Sequence, residues 1–337
     1  MMLKPGDFAP NFVLPDRQGG PQSIFSQELA GQTIFAFLVN SASDFCEHFL
    51  SWIESQNKTF LSKKVKPLVI ASSQTKNFES FKEFKKTEVL YDLDLRFSES
   101  LGFAKPFSTL AVLIVNRNGR IINLLEDCNL GTLLEQLIVY CDAEINCYPP
   151  HTISNQTPVL MIPRILEQDE CDQFIVHWAL GEKRQNEISS GTIEDNKRGS
   201  SSEVKRRTDV LVPDDHTLNK IIQTRINTRV IPELTKAFRF NAKAYDVIRI
   251  GCYDSEVKGF FRPHRDTLSD DPENPRKFAL SLNLNDEYTG GAIRFPEYGA
   301  QTFSPEKGGG IVFSCALLHE ALPVESGQRF GIFLFFT

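Results

Sequence analysis

From Ala244 to Thr337 the chain is a succession of short strand-like runs separated by Gly, Pro, Asp and Asn turns. Strands at that spacing bury one face each and must close against another sheet, which restricts this half to a sandwich or barrel such as a jelly roll. Ahead of it, Pro158-Val-Leu-Met-Ile-Pro163 opens the segment, and helical patterns cover roughly 167–180 and 214–238. Between these helices, residues 184–208 are polar and rich in Ser, Gly, Glu and Lys without periodicity, which reads as a mobile loop.

Residues 1–145 follow another rhythm. Thr33-Ile-Phe-Ala-Phe-Leu-Val39 and Pro67-Leu-Val-Ile-Ala71 are continuous apolar runs, the mark of strands buried on both faces. Ser43-Asp44 is placed to cap a helix carrying Cys46, Phe49, Leu50 and Ile53, and Phe78, Phe81 and Phe84 suggest a second helix over 75–86. Leu110–Val115 and Ile121–Leu125 flank Asn116-Arg-Asn-Gly119, a hairpin signal, and 131–142 reads as a last helix. Alternating strands and helices predict a mixed α/β sheet. Residues 146–157, with Pro149-Pro150, read as a linker, leaving 158–337 as the second domain.

Composition narrows the function class. Charged residues make up 24% and the net charge is −6, a field that repels nucleic acid; Lys205-Arg206-Arg207 is too short a basic run to reverse it. No apolar run is long enough to span a bilayer, and the N-terminus lacks the apolar region of a secretion signal. Seven cysteines without a paired framework fit free thiols in a reducing cytoplasm.

The chemistry concentrates in the second half. In Phe261-Arg-Pro-His264-Arg-Asp266 a histidine and an aspartate stand two apart, so on a strand both project to one face. A third ligand must come from another strand, and His264 and His319 are the only histidines after His216. Two imidazoles and one carboxylate on one face of an ion leave the other open, the arrangement for non-haem Fe(II) oxygen chemistry. Arg329 lies in the final run Gln328–Phe336, apolar on both sides; a buried guanidinium there needs an anion, either a nearby Asp or Glu or the carboxylate of a bound keto acid. Arg206, Arg207 and Arg294 read as solvated surface charges, with an anionic substrate as the other reading.

These residues carry a resemblance. Tyr253, the Phe261–Asp266 segment, Leu282-Asn-Leu-Asn285 leading to Gly290-Gly-Ala-Ile-Arg-Phe-Pro296, Gly309-Gly-Ile-Val-Phe-Ser314, and Leu318-His319-Glu-Ala-Leu-Pro-Val324 with Gly327-Gln-Arg329 resemble 2-oxoglutarate/Fe(II)-dependent dioxygenases of the prolyl-4-hydroxylase-like branch. Pro158–Trp178 is similar to the entry helix of that branch. The resemblance implies a double-stranded β-helix (jelly roll) with flanking helices, Fe(II) on His264, Asp266 and His319, and 2-oxoglutarate on Arg329. It implies Tyr253 and Asn283 as cofactor-pocket residues, O2 as co-substrate and ascorbate as a supporting reductant. The implied reaction is hydroxylation of a C–H bond in an amino acid, peptidyl or small-metabolite substrate, with release of succinate and CO2.

In the first half, Lys4-Pro-Gly-Asp-Phe-Ala-Pro-Asn-Phe-Val-Leu-Pro-Asp16 and the strand Ile34–Val39 resemble a peroxiredoxin or redoxin domain of thioredoxin fold. Cys46 is the possible redox residue, since a helix N-terminus lowers a thiol's pKa. The family's Pro-x-x-x-Thr-x-x-Cys reads Val39, Ser43 and Cys46 here, without the proline, and the arginine that supports the thiolate falls on Leu110. These departures favour a retained fold with a structural cysteine. Three roles stay open for such a domain: docking a partner, covering the oxygenase pocket, or mediating a homodimer. A thiol peroxidase acting through Cys46 and a non-catalytic metal-binding scaffold are the competing functions.

Overall fold

The computed structural model describes residues 3–23, 32–40, 45–72, 87–103, 110–147, 152, 156–185, 187–189, 198–200, 202–266 and 275–337. The chain divides into two compact units, Met1–Thr152 and Ile153–Thr337.

The first unit is a five-stranded sheet in the order Glu88–Asp92, Val65–Ser72, Thr33–Asn40, Leu110–Val115, Ile121–Leu125. The first three strands are parallel and the last two antiparallel to their neighbours. Alternation along the central strand explains its unbroken apolar sequence. Phe35, Phe37 and Val39 pack on one face against Phe49, Ile53 and Phe60 of the helix Phe45–Ser62 and Leu133 and Leu137 of the helix Leu130–Cys147. Ile34, Ala36 and Leu38 pack on the other against Phe97 and Leu101. Each fully buried side chain of this size contributes roughly 2 kcal/mol. The predicted hairpin turn forms as expected: Asn116 Oδ1 accepts the N–H groups of Asn118 and Arg120, both at 3.0 Å, and Gly119 takes a φ of 79°. The strand Glu88–Asp92 and the short helix Arg96–Ser100 were not expected, and the last helix reaches two residues into the expected linker. The Ser43-Asp44 cap, the Phe78–Phe84 helix and Pro149-Pro150 lie outside the described residues.

The second unit is built on two antiparallel sheets. The larger runs in the order Val159–Ile162, Gly310–Ser314, Phe278–Asn283, Val324–Phe336, Arg249–Asp254, Thr208–Leu211, Arg184–Gln185, with Tyr288–Gly290 also paired to Val324–Phe336. The smaller comprises Phe261–His264, His319–Ala321, Ile293–Arg294 and Thr302–Phe303. Leu280, Leu282, Ile332 and Leu334 turn outward onto Phe174, Ile222 and Leu234 of the helices Gln168–Leu180, Thr217–Arg225 and Ile231–Phe238. The intervening residues turn inward, where Ala279, Ile311 and Phe313 meet Ile293 of the small sheet and Phe295 just beyond its strand. Two facing antiparallel sheets with helices on one outer face form the expected jelly roll.

The polar stretch 184–208 departs from the expected loop. It contains the strand Arg184–Gln185 and the antiparallel pair Glu187–Ser189 with Arg198–Ser200. Its end covers the outer edge of the Phe261–His264 strand, where Arg262 N–H donates to Val204 O and Arg206 N–H to Phe260 O, each at 2.9 Å. Lys205 and Arg207 are buried rather than solvated, and both pair with Asp209. Composition alone does not register a carboxylate two residues from Arg207 on the same strand face. Arg206 is half-buried, donating to Ser202 O and Val257 O at 3.0 Å each, and Arg294 pairs with Glu320 at 2.7 Å.

Candidate metal centre and anion cavity

His264 ends one strand of the small sheet and His319 begins its neighbour; the two stand directly opposite in register. Their rings lie 4.2 Å apart between centroids. Asp266 falls two residues beyond the end of its strand, so strand alternation does not aim it. Its N–H donates to Cys315 O at 3.0 Å, which folds it back beside His319. The carboxylate lies 3.5 Å from His264 Nε2 and 3.2 Å from His319 Nε2. One donor atom from each of the three lies within 4.8 Å of the others.

The environment selects the ligating state. His264 Nδ1 is 2.7 Å from Arg262 O and His319 Nδ1 is 3.1 Å from Leu317 O. A proton held on Nδ1 by a carbonyl leaves the Nε2 lone pair free and aimed at the shared point. Burial, reinforced by His319 and only partly opposed by Asp266, pushes the His264 imidazole down to about 4, so it is neutral at physiological pH. For Asp266, burial acts to raise the carboxyl, but the hydrogen bond and charge of His319, with His264, outweigh it and hold the group below its usual range. Two imidazoles and an ionised carboxylate on one side of a point fit an Fe(II) ion with its remaining positions open.

The three groups line a cavity shared with Arg329, Tyr253 and Ser281, with apolar walls from Phe261, Ile293, Phe313, Phe333 and Phe335. Arg329 is 1% exposed. Its guanidinium donates to Asn283 Oδ1 at 2.9 and 3.2 Å, to Gly291 O at 2.9 Å and to Ser281 Oγ at 3.2 Å. All of these acceptors are neutral, and no carboxylate among the described residues pairs with Arg329. The structural ion pair left open by the sequence is therefore not formed there, and a buried positive charge faces the cavity. Tyr253 is abreast of Arg329 on the adjacent strand, is 2% exposed and lines the cavity.

Asn283 is placed differently from the expectation of a cofactor contact. It is fully buried behind Arg329, accepting from the guanidinium and donating to Pro305 O at 2.7 Å and Tyr288 Oη at 2.8 Å. It orients Arg329 and does not line the cavity. Arg207, expected at the surface, does line it.

Cys46 is the second residue of its helix, 2% exposed. Burial, with Glu47 beside it, pushes the thiol up to about 12, the reverse of the shift a nucleophilic cysteine needs. Cys46, Cys128, Cys171, Cys252 and Cys315 are free thiols. No helix among the described residues is long and apolar enough to cross a membrane.

Comparison with known proteins agrees with this geometry. The 2OG-Fe(II) oxygenase superfamily model matches residues 248–337. No curated protein matches the chain. Among solved structures, the viral collagen prolyl hydroxylase of Paramecium Bursaria Chlorella virus-1 is 21% identical, covering 53% of this chain and 96% of its own, with a TM-score of 0.39. A Pseudomonas putida prolyl-4-hydroxylase is 15% identical, covering 54% and 92%, with a TM-score of 0.42. On the thioredoxin-like side, peroxidoxin BcpB of Mycobacterium tuberculosis is 14% identical, covering 42% and 97%, with a TM-score of 0.36. The region that matches the 2OG-Fe(II) oxygenase superfamily, Ile248 to Thr337, holds all three metal-ligand candidates and Arg329, and this match supports a 2-oxoglutarate-dependent oxygenase.

Proposed function

We propose that the protein hydroxylates a C–H bond of an amino acid, peptidyl or small-metabolite substrate, with His264, Asp266 and His319 holding Fe(II) and Arg329 holding 2-oxoglutarate. One observation carries this reading: the three converging donors share a cavity with a buried guanidinium for which no described carboxylate is a partner. Iron bound there supplies oxidative decarboxylation of 2-oxoglutarate by O2, giving succinate, CO2 and a hydroxylated product, with ascorbate as a supporting reductant. Arg329 binds the far carboxylate of the keto acid through paired N–H groups and so fixes its orientation. Asn283 and Ser281 hold that guanidinium in place, and Tyr253 forms the adjoining wall. The aromatic side chains exclude water from the reacting atoms.

The free thiols support action in a reducing cytoplasm. The buried, poorly acidic Cys46 does not support a thiol peroxidase, and docking, pocket cover or homodimer formation remain the proposed roles of the first unit. The test is anaerobic addition of 2-oxoglutarate to the Fe(II) protein. A visible charge-transfer band is expected, absent in His319→Ala and weakened in Arg329→Ala. No band in the wild type, and no succinate with any substrate, would establish a non-catalytic scaffold.

A further inference from the structure

Arg329 is not the only guanidinium built into the cavity wall. Arg207 directly precedes the strand Thr208–Leu211, whose register pairs Thr208 with Cys252. Continued by one residue, that register brings Arg207 abreast of Tyr253, which is itself paired with Arg329. Arg207, Tyr253 and Arg329 therefore form one row across neighbouring strands, with the tyrosine between the two cations.

The Arg207 side chain lies across Gly251. A Cβ there would come within 2.7 Å of Arg207 Cδ and of Asp209 Oδ1, so the missing side chain is what admits the arginine. The guanidinium then stacks 4.1 Å from the centre of the Phe333 ring and donates from Nη1 to Tyr253 Oη at 3.3 Å. Asp209 accepts its Nε and Nη2 at 2.5 and 2.9 Å and also takes Lys205 Nζ at 2.9 Å. Arg249, paired in register with Phe333, lines the same cavity, and its partner Asp246 also serves Arg276. Asp209 and Asp246 each accept from two cations. A planar cation fixed by a fork, a ring and a hydroxyl is preorganised for a planar anion.

We propose that Arg207, assisted by Arg249, is a second anion subsite that takes the carboxylate of the primary substrate, a compact apolar acid. This rests on the oxygenase reading, in which Arg329 is committed to 2-oxoglutarate. The apolar walls at Phe261, Ile293, Phe333 and Phe335 receive the substrate's hydrocarbon part, and the cavity volume, shared with 2-oxoglutarate, limits its size.

The test is calorimetric binding to the full chain loaded with Mn(II) and 2-oxoglutarate, which does not turn over. The probes are L-proline, L-leucine, L-phenylalanine and N-acetyl-glycyl-L-leucine, each beside its carboxamide. At least one acid is expected to bind in the millimolar range or tighter, with its amide at least about tenfold weaker. Binding by free amino acids identifies a metabolite carboxylate, and binding by the dipeptide acid alone identifies a chain terminus; both support the subsite. Arg207→Gln is expected to lose acid binding at least about tenfold while 2-oxoglutarate still binds, with partial recovery in Arg207→Lys. Gly251→Ala, which displaces Arg207 without removing its charge, is expected to lose it too. Acids and amides binding alike, no acid binding up to about 10 mM, or an unaltered Arg207→Gln each overturn the subsite alone. If 2-oxoglutarate itself does not bind the Mn(II) protein, the oxygenase reading fails and this proposal with it.

Discussion

Arg265 stands between His264 and Asp266 in the chain, yet its guanidinium turns away from them onto the carboxylate of Glu297, 2.6 Å distant. The same carboxylate accepts the Leu318 N–H at 3.1 Å, one residue before His319, and Arg265 also donates to Ala316 O. The pair fastens the two ligand-bearing segments together from outside the cavity. Glu297→Gln is therefore expected to weaken Mn(II) or Fe(II) binding about tenfold, the lower end for groups that orient ligands. The thermal midpoint should barely move, since exposed ion pairs contribute little to global stability. Equilibrium dialysis beside thermal unfolding checks both; an unchanged metal affinity would show that the ligand segments hold themselves.

Asn283 acts through Arg329. Its loss removes two hydrogen bonds to a buried charge, each worth about 1.5–3 kcal/mol. Asn283→Ala is expected to raise the 2-oxoglutarate KM tenfold or more, about 1.4 kcal/mol at least, without altering metal affinity. Asn283→Asp should also weaken 2-oxoglutarate binding, because the guanidinium then has a carboxylate of its own. Steady-state kinetics against metal titration separates these effects.

Lys205 is a stability prediction with a definite sign. Burial, with Arg207 beside it and against the pull of Asp209, pushes its ammonium down to about 8. Its folded pKa is below its unfolded one, so between about pH 8 and 10.5 the unfolded chain binds more protons and folding stability rises with pH. Below pH 8 the protein carries the whole cost of the buried charge, about 3 kcal/mol. Lys205→Met is expected to raise the unfolding midpoint at pH 7, with an advantage that shrinks as pH approaches 10. A difference independent of pH would contradict this.

Cys46 should be chemically quiet. With its thiol pushed up to about 12, the thiolate at pH 7 is on the order of one part in a hundred thousand. Native protein is expected to show no rapid alkylation at Cys46 by iodoacetamide, followed by peptide mass spectrometry. Cys46→Ser should leave 2-oxoglutarate turnover intact.

The parts of this molecule that sequence reveals are those governed by short-range pattern. Phe35, Phe37 and Val39 interleave with Ile34, Ala36 and Leu38, so a strand buried on both faces is visible as an unbroken apolar run. His264 and His319 are legible because so few histidines were available to complete a ligand set. The strand Glu88–Asp92 is short and ends in a polar residue that caps the next helix: Asp92 accepts from Phe97 and Ser98 N–H groups. It carries no such run. Arg207 was hidden for another reason. Its burial depends on Asp209, Gly251 and Phe333 meeting across three strands, a relation fixed by register and absent from any local window. Asn283 shares the strand face of Ser281, the right place for a pocket residue, but Arg329, whose guanidinium it holds, lines the cavity in its stead.

The backbone bonds from Val204 and Arg206 to the His264 strand join two functions in one seam. The segment that shields the outer margin of that strand is the same one that delivers Arg207 into the cavity. Peeling it away would loosen a ligand strand and withdraw a wall cation in a single opening. The Arg206 and Arg262 amides, which close that seam, should consequently exchange with solvent together, and slow together when metal and keto acid are added.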